Sequence, residues 1–103
     1  MGGESPLLSK GEIMYYKLST VQKVSYTGTA ANSSAIGDQT RLVRLYATTK
    51  CHVSINNPAV TATTSMTPLN ADSEEIFKVS PGNIISVVRA ASSGDLFITE
   101  LTE

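Results

Sequence analysis

The chain has 103 residues, enough for one domain, with a net charge of −1 and a pI near 5.8. That balance excludes a dedicated nucleic-acid binder, which shows a basic patch and a domain pI above about 9. A single cysteine, Cys51, excludes an intrachain disulfide, so the domain must be held by its own core or by association.

Met1 to Glu12 combines paired glycines, a proline and mixed charges, and reads as an extended arm (residues 1–12) anchored by Leu7 and Leu8. It has no apolar run of h-region length, and no stretch of the chain approaches the ~20 apolar residues of a membrane span. The expectation is therefore a protein without a membrane partner, made in a reducing cytoplasm. Residues 13–103 read as one β domain.

Ile13 to Lys17 and Val21 to Thr29 are the first strand-rich pieces. In the second, Val21, Lys23 and Ser25 share one face, while Gln22, Val24 and Tyr26 share the other. Ala30 to Gln39 is a small, polar connection with Ile36 as its apolar anchor. Arg41 to Thr48 is a strong strand, with Val43, Leu45 and Ala47 on one side and Leu42, Arg44 and Tyr46 on the other. A short Thr49-Lys50 turn leads to Cys51 to Ile55, whose face of Cys51, Val53 and Ile55 is apolar. The spacing predicts a hairpin. Asn56-Asn57-Pro58 ends it.

Ala59 to Ser73 is crowded with threonine and interrupted by Pro68, so it reads as a long irregular loop. Loops of that length in compact domains are often contact loops, and Val60, Met66 and Leu69 are its candidate contacts. Glu74 to Ser80, Pro81-Gly82 and Asn83 to Ala90 predict a second hairpin, because Pro then Gly suits a type II turn. Ile84 to Val88 is nearly all apolar, as a central strand would be. Leu96 to Leu101 closes the chain, with Phe97, Thr99 and Leu101 on one face. About a quarter of the residues are Ser or Thr, and strands alternate with turn signals throughout. The pattern predicts an all-β fold, an antiparallel β-sandwich or jelly-roll-like barrel with an extended N-terminal arm.

Chemistry is sparse. His52 follows Cys51 directly, so on a strand the two side chains point to opposite faces and form no nucleophile–base pair. One Cys and one His are too few for zinc. Glu74 and Glu75 diverge for the same reason. Asp72 and Glu74 share a face but fall short of the 6–8 oxygens calcium takes. No catalytic residue, cofactor or metal site is expected, and the chain reads as a non-enzyme. Tyr15, Tyr16, Tyr26 and Tyr46 allow a stacking platform for sugars, but strand tyrosines more often pack at interfaces. Leu7, Leu8, Tyr15 and Tyr16 join the loop residues as protein-contact candidates. Charge is split along the chain: six basic and three acidic residues up to His52, two basic and six acidic beyond it. If the halves occupy different edges, neighbouring copies meet with complementary potentials.

The succession RLVRLYATTKCHVSI, TATTSM, EEIFKVSPGNIISVV and SSGDLFITEL, within Arg41 to Leu101, resembles small structural proteins of tailed bacteriophage virions. The resemblance implies a non-enzymatic β-sandwich located in the virion, most often a head decoration (cement) protein. It implies the major capsid protein or another virion protein as partner, and a homo-oligomer, dimer or trimer. A neck, collar or tail-fibre-attachment component is the alternative within that class, and a carbohydrate-binding module is the alternative outside it.

Overall fold

The computed structural model describes residues 17–102. The arm at 1–12 and the candidates Leu7, Leu8, Tyr15 and Tyr16 lie outside the described residues. The described chain forms eight strands and no helix: β1 (Lys17–Tyr26), β2 (Ala31–Asn32), β3 (Leu42–Ala47), β4 (Cys51–Asn56), β5 (Thr67–Leu69), β6 (Glu74–Lys78), β7 (Ile84–Arg89) and β8 (Gly94–Thr102). They build two four-stranded sheets. Sheet A has the order β1-β8-β3-β6 and sheet B the order β2-β7-β4-β5. Every pairing is antiparallel. All connections but β4 to β5 cross from one sheet to the other, and this strand order is that of a jelly roll. The sandwich expectation holds.

Alternation decides which side chains enter the core. From sheet A, Val24 and Tyr26, Val43, Leu45 and Ala47, and Leu96 and Ile98 point inward. From sheet B come Cys51, Val53, Ile85 and Val87, and all are buried. Each such aliphatic side chain contributes about 1.5–3 kcal/mol relative to exposure. β7 is central in sheet B and buried from Ile85 to Val88, as its nearly all-apolar run requires, with the one polar residue, Ser86, accepting a hydrogen bond from Ala62 N–H. Ile36 is buried too, and anchors the β2–β3 connection through Ile36 N–H donating to Asn83 O at 2.8 Å.

Both predicted hairpins are corrected. The Pro81-Gly82 turn exists: Asn83 N–H donates to Ser80 O at 3.1 Å, and Gly82 takes the positive φ of 85° that its position demands. Yet it links β6 of sheet A to β7 of sheet B, and β6 pairs with β3. The Thr48–Lys50 turn likewise links β3 of sheet A to β4 of sheet B. Turn chemistry is local, whereas the choice of partner strand is made by the core, which each of these strands enters from its own side.

The predicted long loop at 59–73 is corrected in part. It contains β5, whose Leu69 pairs with Cys51 across sheet B. Its earlier half is tied down as well: Ala62 N–H donates to Ser86 Oγ at 2.9 Å, and Ser54 Oγ donates to Val60 O at 2.5 Å.

Candidate protein-contact face

The ladder registers define the outer face of sheet A residue by residue. One row across the strands reads Leu18, Leu101, Leu42, Lys78. The next reads Val21, Thr99, Arg44, Ile76, and the third Lys23, Phe97, Tyr46, Glu74. β1 carries a bulge between Leu18 and Val21, where its register against β8 shifts by one residue. Residues three apart normally face opposite ways on a strand; the extra residue brings Leu18 onto the same face as Val21. Leu18, Val21 and Ile76 are 68%, 57% and 40% exposed, and belong to the small set of large apolar side chains left in solvent among the described residues. Leu42 and Leu101, between them, are buried.

The far end of this face is polar and ordered. Arg44 pairs with Glu74. Tyr46 Oη donates to Asp72 Oδ1 at 2.8 Å, and its ring meets that of Phe97 with centroids 6.4 Å apart. The Asp72 carboxylate, by holding that proton, raises the Tyr46 phenol above its ordinary value. Ser25 Oγ donates to Asp95 Oδ1 at 2.6 Å. Exposed apolar residues at both edges and a hydrogen-bonded, charged end on one face give the makings of a protein contact: desolvation energy from the first, orientation from the second.

Of the remaining contact candidates, Val60 and Met66 lie in the connection from β4 to β5, and Leu69 lies in β5 of sheet B. Val60 is exposed, and Met66 is half-buried with its carbonyl 3.0 Å from His52 Nδ1. Leu69 is 2% exposed and belongs to the core, so its side chain offers no outer surface. The structure does not bring these three to the sheet A face. Sequence reasoning missed Leu18 and Ile76. Grouping Val21 with Lys23 was correct, but the bulge that adds Leu18 is invisible to simple alternation. Ile76 lay in a strand whose edge position depends on distant pairing.

The groups with chemical potential are placed as strand alternation requires. Cys51 points into the core and His52 away from it, half-buried. Burial pushes the Cys51 thiol up, away from the reactive thiolate. Tyr26 is also raised by burial, its Oη donating to Thr49 O at 2.7 Å and accepting from Thr49 N–H at 3.2 Å. Among the described residues no three His, Cys, Asp or Glu side chains are grouped to hold a metal. Compared with known proteins, the chain matches no family model, and no curated protein or solved structure matches it significantly.

Proposed function

We propose that this chain is a structural protein of a bacteriophage virion, acting as a capsid decoration protein that clamps major capsid subunits through the outer face of sheet A. The observation that carries the reading is the exposure of Leu18, Val21 and Ile76 on one face of one sheet, beside an ordered charged end. Apolar surface of that kind costs free energy in water, and burying it against a partner is favourable. The jelly roll serves capsid and lectin domains alike, so architecture by itself does not choose between them. The two tyrosines among the described residues favour the protein partner over sugar: Tyr26 is enclosed in the core, and Tyr46 is committed to Asp72 and Phe97. In this reading Cys51 and His52 have no catalytic role, and many copies on a lattice turn modest single contacts into strong attachment.

Quantitative mass spectrometry of purified particles from cells carrying this gene tests the proposal. Hundreds of copies per particle fit decoration of the head lattice, whereas about a dozen or fewer indicate the neck or tail, where multivalency is small. Particles with no copies would sink the virion reading. Replacing Val21 with Asp should then release the protein from particles while leaving its fold intact, because Val21 is exposed.

A further inference from the structure

The four sheet edges are unequal. In sheet B the edge strands are β2, with 2 residues, and β5, with 3 residues including Pro68. Short strands and proline are the usual means of blunting an edge. In sheet A, among the described residues, the edges are β1, with 10 residues, and β6, with 5. Those two edges differ in charge. β1 carries Lys17 and Lys23 and no acid, while β6 carries Glu74 and Glu75 against one Lys78, with Asp72 just before it. The exposed apolar residues divide the same way: Leu18 and Val21 at one edge, Ile76 at the other, all on the outer face.

From these observations we infer that sheet A of one copy continues into sheet A of the next, with β6 of one copy pairing antiparallel to β1 of its neighbour. Direction allows it. β1, β8, β3 and β6 alternate in sense, so β1 and β6 run oppositely, and a second copy set beside the first in the sheet plane presents β1 antiparallel to β6. Register favours it. The cross-strand rows end in Ile76 and Glu74 on β6 and begin in Val21 and Lys23 on β1. Continued without offset, they set Ile76 beside the neighbour's Val21, and Glu74 beside the neighbour's Lys23. Apolar meets apolar and opposite charges meet, the two kinds of cross-strand pair that stabilise a sheet. Pairing β1 with another β1 would instead gather the lysines of both strands and leave Ile76 in water. The contact is heterologous, so it closes into a ring or extends as an array according to the rotation between copies. It depends on this chain alone, whatever particle or partner the protein serves.

Sedimentation velocity and light scattering on the purified chain, across a concentration series at low salt, test it. The wild type is expected to self-associate beyond a dimer, and less so as salt screens the charged pair. K23E and E74K each place like charges across the junction, and each should weaken association at least about tenfold. An equimolar mixture of the two, or the double variant K23E/E74K, should restore it, which misfolded variants would not do. If loss of the Arg44 ion pair unfolds E74K, then I76S probes the same edge and should likewise weaken association. A wild type that stays monomeric into the millimolar range overturns the inference. So does association indifferent to the β6 changes, or loss in the single variants that neither mixing nor the double exchange repairs.

Discussion

Glu100 enters the sandwich from the inward side of β8, only 5% exposed, and accepts a hydrogen bond from Thr40 Oγ1 at 2.5 Å. Gly37 lies against the same carboxylate, where an added Cβ would come within 3.2 Å of Oε1. Thr40→Val keeps the shape but removes the donor, and should cost about 1–3 kcal/mol, read as a lower denaturant midpoint with unchanged slope. An unchanged midpoint would mean that water replaces the hydroxyl without loss. At the other end of the sandwich Cys51 and Tyr26 are both raised above their ordinary values of 9.0 and 10.0, mainly by burial. Folded protein therefore holds these protons at a pH where the unfolded chain has begun to release them. Their contribution to stability is complete below about pH 9 and is lost as pH rises through the raised values. Unfolding midpoints across pH 7–11 should be level at first and then fall, and Cys51→Ala should delay the onset of the fall.

Gln22 shows what one side chain does for an element. Its Oε1 accepts from Ser34 N–H at 2.8 Å and its Nε2 donates to Ser34 O at 3.3 Å, so it bridges β1 of sheet A to the segment after β2 of sheet B. Gln22→Ala should cost about 1 kcal/mol and speed amide hydrogen exchange along β1 while leaving β4 and β7 protected. Gly82 is a second such point, because its φ of 85° lies where side chains are strained and an added Cβ would sit 2.9 Å from Asn57 Nδ2. Gly82→Ala should lower thermal stability by about 1–2 kcal/mol. Elements of this size were legible in the residues themselves. The faces of β1, β3 and β4, the centrality of β7 and the Pro81-Gly82 turn all follow from alternation and local dihedral preference. The pairing was not legible. A Pro-Gly turn reads the same whether the following strand folds back in its own sheet or crosses to the facing one, and burial across the whole sandwich makes that choice. The contact face was half legible for the same reason: Val21 and Lys23 follow from alternation, whereas the bulge and the edge position of β6 arise from partners far away in sequence.

At the scale of the whole molecule, the opposed charges of the two sheet A edges give spatial form to the split between the basic first half and the acidic second half of the chain. Glu74 pairs with Arg44 within the molecule and also ends the row that begins in Lys23, so it serves both that ion pair and the charged edge, to which Glu75 adds a second acid. The order of sheet A has a second effect. β8, the last of the described strands, lies between β1 and β3 and supplies Leu96 and Ile98 to the core. A variant ending at Ser93 should give a circular dichroism spectrum without sheet structure, since β1 would lose its only sheet partner among the described residues and the core would lose Leu96 and Ile98. For a chain emerging from the ribosome, β1 must wait for β8, made seven strands later. Until β8 appears, β1 lacks the strand that pairs with it among the described residues, and its Val24 and Tyr26, destined for the core, stay open to chaperones and to neighbouring nascent chains.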